Sequence, residues 1–293
     1  MRVAITGASG FVGRALRSAL EDAGHEPVPV RRDDTGALQW STDDGFDPPD
    51  ALSGYDAVVH LAGENIAGGR WNDERKAKIR DSRVQGTRRV VEALKAAAPR
   101  PRVLISMSAV GYYGPRGSTE LTEDAEPGDG FLADVARAWE AEATAAEALD
   151  VRVVRLRLGT VLGEGGALEK MLPAFKMGVG GRLGDGEQYM SWIHIDDVVG
   201  AIVHVLEHDD CAGPFNLTSP EPATNAEFTN ALGKALGRPT VIPVPKFALK
   251  VAFGEMAEHL LLTGQRVVPQ RLLASKFEFA RPDLLAALTD AVR

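Results

Sequence analysis

Strand-like and helix-like segments alternate through the first half of this 293-residue chain, glycines recur at a strand-to-helix junction within its first thirteen residues, and the alternation gives way to mixed segments after Leu158. Together these predict an α/β fold: a Rossmann-like, doubly wound parallel sheet carrying a smaller, mainly C-terminal cap.

Strands are expected at Val3–Thr6, Glu26–Val30, Ala57–Ala62, Val103–Ser106 and Val151–Arg157, with helices at Val12–Ala23, Asn72–Ala97 and Ala133–Glu147. Most of these strands are largely apolar, as expected of a parallel sheet covered by helices on both faces. The last is the exception, with arginine at positions 152, 155 and 157. From Gly159 to Gly186 glycine and mixed segments dominate, Ile193–Leu206 reads as a strand end entering a helix, and prolines punctuate 220–222 and 239–245. The expected division is a nucleotide-binding domain over 1–160, completed by about 193–206, with 161–192 and 207–293 forming a substrate or cap region.

Composition narrows the function. Net charge is −8 and no long basic run occurs, which argues against nucleic acid or an anionic membrane as the main partner and for a small-molecule substrate. The lone cysteine, Cys211, fits a reducing compartment, and no signal-peptide core or membrane-length apolar run is seen, so a cytoplasmic location is expected. A metal centre is not expected: His204 and His208 lie four apart, but Val205 stands where a zinc-protease helix places its Glu.

The opening Val3-Ala4-Ile5-Thr6-Gly7-Ala8-Ser9-Gly10-Phe11-Val12-Gly13 runs a strand into glycines spaced GxxGxxG and then into a helix. Gly7 permits the turn, Gly10 lets main chain approach a diphosphate, and Gly13 lets the helix pack on the sheet. The helix N-terminus supplies free N–H groups and a positive dipole end. At the close of the second strand, Arg31 and Arg32 precede Asp33. An acid there suits the ribose hydroxyls of NAD and a guanidinium the 2′-phosphate of NADP, and the order of residues favours NADP over NAD.

Further motifs carry a family resemblance. Asp56-Ala57-Val58-Val59-His60-Leu61-Ala62-Gly63, Ser106-Met107-Ser108 with Tyr112-Tyr113-Gly114, and Gly184-Asp185-Gly186 with Trp192-Ile193-His194-Ile195-Asp196-Asp197 resemble extended short-chain dehydrogenases. Ala62-Gly63-Glu64-Asn65-Ile66, Arg70-Trp71-Asn72, Ser82-Arg83, Trp139-Glu140 and Leu158-Gly159-Thr160-Val161-Leu162-Gly163 narrow this to the atypical, YfcH-like epimerase family proteins. The tail Gln265–Arg271 resembles that family's C-terminal domain, here about 245–291. The resemblance covers essentially the whole chain. It implies cofactor contacts from Gly7, Ser9, Gly10, Phe11, Val12, Gly13, Arg31, Arg32, Leu61, Ala62, Gly63, Arg83 and Arg157, with the segment around Lys78 nearby. Relatives often pair through sheet-flanking helices, so a homodimer is one expectation for the assembly.

The superfamily's usual Tyr-x-x-x-Lys pair is missing. Val59, Arg116, Gly117 and Ile193 follow the four tyrosines at that spacing, and Phe131 and Val135 align with the usual Tyr and Lys. Ser108 matches the superfamily's Ser, with Tyr112 or Tyr113 as a candidate proton donor beside it. Asp134 and Glu140 read as structural carboxylates. In the superfamily the segment holding His194 is largely structural, with an Asp capping the following helix. The expected function is an NADP(H)-binding oxidoreductase or epimerase-like enzyme; the alternative is a noncatalytic NADPH-binding sensor or docking protein.

Overall fold

The computed structural model describes residues 1–31 and 38–293. In chain order its strands are β1 Arg2–Thr6, β2 Glu26–Arg31, β3 Leu38–Ser41, β4 Gly45–Asp47, β5 Ala57–His60, β6 Val103–Ala109, β7 Glu120–Leu121, β8 Arg152–Leu158, β9 Thr160–Leu162, β10 Tyr189–Met190, β11 Trp192–His194, β12 Gly213–Leu217, β13 Ala223–Thr224 and β14 Arg266–Val267. The α-helices are α1 Phe11–Asp22, α2 Asp73–Ala96, α3 Phe131–Thr144, α4 Gly166–Lys176, α5 Ile195–Glu207, α6 Asn225–Leu236, α7 Lys246–Phe253, α8 Gln270–Ala274 and α9 Leu284–Ala291. None of the helices among the described residues is long and apolar enough to cross a membrane.

Eight strands form one sheet in the order β12-β8-β6-β5-β1-β2-β3-β4. Every neighbouring pair is parallel except β3 with β4. The winding reverses between β1 and β5, which opens a crevice beyond their carboxyl ends, the place where such sheets bind ligands. Because side chains alternate along a strand, β1 feeds two cores: Val3 and Ile5 face Leu16, Leu20 and Ile202, while Ala4 faces Val58, Val90 and Leu94. α1 and α5 cover the first face, and α2 and α3 cover the second.

Three sheet strands go beyond the sequence expectation. β3 and β4 extend the edge past β2, and β12 pairs with β8 with Phe215 opposite Leu156. Residues 213–217 therefore belong to the sheet and not to the cap. Gly213 and Pro214 disguise this strand, and an edge position is where a sheet tolerates Pro. The 193–206 segment covers the sheet through α5 instead of extending it, and β11 pairs with β9 alone.

A third core, built from Trp192, Phe228, Leu232 and Leu288, belongs to the smaller unit formed by α6, α9 and neighbouring loops. His194 itself caps α5, accepting the Asp196 N–H at 3.3 Å. Neither Asp of the segment is the cap; Asp197 is buried and accepts N–H groups of Ala280 and Arg281, at 2.6 and 3.1 Å, tying the C-terminal segment to α5. His194, Asp196 and Asp290 gather their polar atoms within 4.8 Å, and Arg281 reaches both carboxylates, so this cluster already holds a cation and reads as a tether. His204 and His208 stack at 4.1 Å on α5, with His204 Nε2 2.9 Å from Ser275 Oγ, which is packing against α8's end.

Candidate active site

The crevice is set by main chain. Gly7 adopts φ +71°, and a Cβ there would sit 2.9 Å from the backbone of Leu61 and Ala62, so only glycine lets the ends of β1 and the β5 loop meet. Thr6 locks the junction. Its Oγ1 shares a 2.6 Å hydrogen bond with His60 Nδ1 and accepts the Ala62 N–H at 3.3 Å. Burial pushes the His60 imidazole down to about 4, so it is neutral at physiological pH. Gly13 packs α1 directly on the turn: a Cβ there would lie 2.7 Å from Ala8 Cα and closer still to the Gly7 carbonyl.

No side chain caps α1. Gly10 occupies the cap position, and its own N–H turns back to the Gly7 carbonyl at 3.0 Å. The first-turn amides of Phe11, Val12 and Gly13 are thereby left to an external acceptor at the positive end of the helix. Ser9 is exposed at the turn, where its carbonyl accepts from Arg14 Nη1 at 2.7 Å. The Phe11 ring is wedged beneath the loop after β9, within van der Waals reach of Gly165 and Gly166. This cradle fits a diphosphate, since a Cβ at Gly7 or Gly13 would collapse it.

Arg31 ends β2 on the crevice side of the sheet edge and is exposed. Arg32, paired with it in the sequence expectation, lies outside the described residues. Arg83 reaches from α2 to the loop after β5, with its Cζ 3.4 Å from where a Gly63 Cβ would be. It donates to the carbonyls of Glu64 (3.0 Å) and Ile79 (3.1 Å) and lies over the Trp139 ring. Burial pulls its guanidinium down to about 10, because its direct partners are dipoles and the Glu64 charge compensates only in part. Its neighbours Arg80, Arg88 and Arg89 pair with surface carboxylates instead. Lys78 also faces out, bonded to Glu74.

Four expected residues gather in or against one buried network around Arg157. Arg157 is 3% exposed and grips the buried Glu140 with Nε–Oε1 at 2.8 Å and Nη2–Oε2 at 3.0 Å. Its Nη1 donates to the Tyr113 hydroxyl and the Glu123 carbonyl. Four of its five N–H groups are thus spent inside the protein, on a carboxylate, a hydroxyl and a carbonyl. Ser108 is equally buried and donates to Glu140 Oε1 at 2.7 Å, so its hydroxyl is held in this network and not turned to the crevice. Tyr112, the other catalytic candidate, lays its ring on the Arg157 guanidinium at 3.6 Å. Tyr113 donates to Asn216 Oδ1 at 2.6 Å, and burial raises its phenol to about 12, so at neutral pH the hydroxyl keeps its proton and spends it on Asn216.

Phe131 opens α3 beside the crevice mouth. Its ring meets Trp71 edge-on at 5.3 Å, and the Lys76 ammonium lies 5.5 Å from its centroid. Lys76 pairs with Glu255 of the C-terminal segment at 2.6 Å, and His259 stacks on Trp71 at 5.7 Å. The sequence expectation missed Lys76. Its signal was helical phase: Lys76, Ile79 and Arg83 share the inward face of α2, two positions from the outward Lys78.

A doubly wound sheet with a GxxGxxG turn at its reversal defines a Rossmann-type NAD(P)-binding protein of the extended short-chain dehydrogenase kind. The chain belongs to the NAD dependent epimerase/dehydratase family, which matches residues 3–218, and residues 244–291 match a domain of unknown function, DUF1731. The epimerase family protein SDR39U1 of Homo sapiens is 38% identical over 297 residues, covering 100% of both chains. A Mycobacterium bovis epimerase family protein, Mb2239, is 44% identical over 94% of this chain and 93% of its own. The crystal structure of human SDR39U1 with NADPH superposes with a TM-score of 0.91 at 37% identity, covering 99% of each chain. A nucleoside-diphosphate sugar epimerase from Corynebacterium glutamicum is 35% identical at a TM-score of 0.81, over 100% of this chain and 58% of that one.

Proposed function

We propose that the chain binds NADP(H) and uses it for oxidoreductase or epimerase-like chemistry on a small molecule bearing a carbonyl or carbinol group. The observation that carries this reading is the uncapped N-terminus of α1 behind a turn with room for main chain only. Amides of residues 11–13 would hold the diphosphate, and Arg31, leaving β2 where the adenosine ribose lies in such folds, would take the 2′-phosphate. Leu61, Ala62 and Gly63 line the nicotinamide side of the junction, where Arg83 adds a half-buried positive charge. When bound, the dinucleotide supplies a hydride donor or acceptor. Support for the phosphorylated form comes from the human relative that was crystallised with NADPH.

The test is a fluorescence titration with NADPH and NADH. Arg31→Ala is expected to weaken NADPH about 10–100-fold, the loss of one charge-assisted contact, and to leave NADH unchanged. Equal affinity of the unaltered protein for both nucleotides would contradict the preference.

The sealing of Ser108 and the replacement of the usual Tyr by Phe131 favour a second reading, a noncatalytic NADPH sensor or docking protein. Tight NADPH binding with no oxidation of the cofactor by any carbonyl probe would select it.

A further inference from the structure

We propose that Lys76 is the proton donor of the reaction, replacing the tyrosine this chain lacks. The inference rests on the dinucleotide reading above and deepens it. Three observations converge on the ring of Phe131. The Lys76 ammonium lies 5.5 Å from the ring centroid, on the side chain that stands where the usual phenol would be. Glu255 holds that ammonium at 2.6 Å from the C-terminal segment, leaving Lys76 25% exposed. Trp71 and His259, with Met256 and Ile66, wall the spot; His259 Cε1 would sit 3.9 Å from a Cβ on Gly130, the residue before Phe131. A partly exposed ammonium held by Glu255, beside a tyrosine position that has lost its hydroxyl, is placed to serve an oxygen.

The step balances with the bound dinucleotide as sole reductant. The substrate's carbonyl carbon gains the hydride from the dihydronicotinamide and forms the new C–H bond. The carbonyl π pair moves to oxygen, which takes a proton from the Lys76 Nζ. The products are an alcohol and oxidised cofactor, and the neutral amine recovers its proton from water at the Glu255 and His259 side. Arg cannot substitute, because a guanidinium does not deprotonate at working pH.

The experiment uses the full chain with NADPH and three probes: phenanthrenequinone, para-nitrobenzaldehyde and dihydroxyacetone phosphate. Lys76→Arg, which keeps the charge facing Glu255, is expected to retain NADPH affinity and to lose about 10²–10⁴-fold in kcat. Adding Phe131→Tyr and Val135→Lys to that variant is expected to restore part of the rate. Binding gives a second readout. Para-nitrobenzoate, whose carboxylate mimics the developing oxyanion, is expected to bind the NADP complex by calorimetry and to weaken at least about 10-fold in Lys76→Met, the loss of a charged hydrogen bond. Unaltered turnover and unaltered nitrobenzoate binding in both Lys76 variants overturn this proposal and leave the enzyme reading standing. NADPH binding without turnover of any probe and without nitrobenzoate binding by the unaltered protein overturns both.

Discussion

Glu140→Ala is expected to destabilise the fold by about 3–5 kcal/mol, the range for removing one partner of a buried ion pair, which lowers the unfolding midpoint by roughly 10 °C in a chain of this size. Glu140 is buried on α3 and answers three groups at once: the Ser108 hydroxyl and two edges of Arg157. Arg155 Nη1 stands 3.8 Å from Glu140 Oε2. Burial drags the Arg157 guanidinium down, yet the hydrogen bonds and charge of Glu140 outweigh it and hold the group above its ordinary range. Without Glu140 that charge stays buried with the Tyr113 hydroxyl, a carbonyl and the Tyr112 ring, and no anion, bonded to it. The double variant Glu140→Leu/Arg157→Met is expected to recover much of the loss, since it removes both charges together. Thermal unfolding of the three proteins checks this. A single-variant loss below about 1 kcal/mol, the worth of an exposed pair, would contradict it.

Gly13→Val is expected to abolish dinucleotide binding and to destabilise the domain by several kcal/mol, as overpacking against backbone does at its upper end. The obstruction is main chain, Ala8 Cα at 2.7 Å and the Gly7 carbonyl nearer still, so no rotamer relieves it. α1 would have to lift from β1 and take Leu16 and Leu20 out of the core they share with Val3 and Ile5. Chemical denaturation alongside an NADPH titration measures both effects. A variant of unchanged stability would mean that helix and turn are not packed as described.

The sheet and the phosphate turn were legible in the sequence because each rests on local pattern. Largely apolar runs marked β1, β5 and β6, and a glycine triplet at a strand-to-helix junction has few other uses. β12 was not legible, since Gly213 and Pro214 read as punctuation and its partner β8 lies 55 or more residues away in sequence. The site beyond the turn split along the same line. Arg157 entered through the family resemblance, and spacing cannot say whether its partner is a phosphate or Glu140, on α3. Ser108 kept its motif while its hydroxyl was drawn into the same network. Lys76 was hidden by its neighbours: in Arg75-Lys76-Ala77-Lys78, helical phase alone hints at the inward lysine, and the arrival of Glu255 separates it from the outward one. Long-range partners, not local propensity, decide which charges face the crevice.

The central claim is that main-chain amides at the start of α1 hold the diphosphate of a nicotinamide dinucleotide. Gly10 tests it most directly, because its φ of −71° suits any residue and a Cβ there meets only the Gly7 carbonyl, at 3.2 Å, so the fold should survive a side chain that crowds the phosphate. Calorimetric titration of NADPH into the unaltered protein and Gly10→Val is expected to give an affinity loss of about 100-fold or more, two charge-assisted contacts at 1.5–3 kcal/mol each, with the unfolding midpoint of the free protein little changed. Undiminished NADPH affinity in a folded Gly10→Val protein would contradict the account.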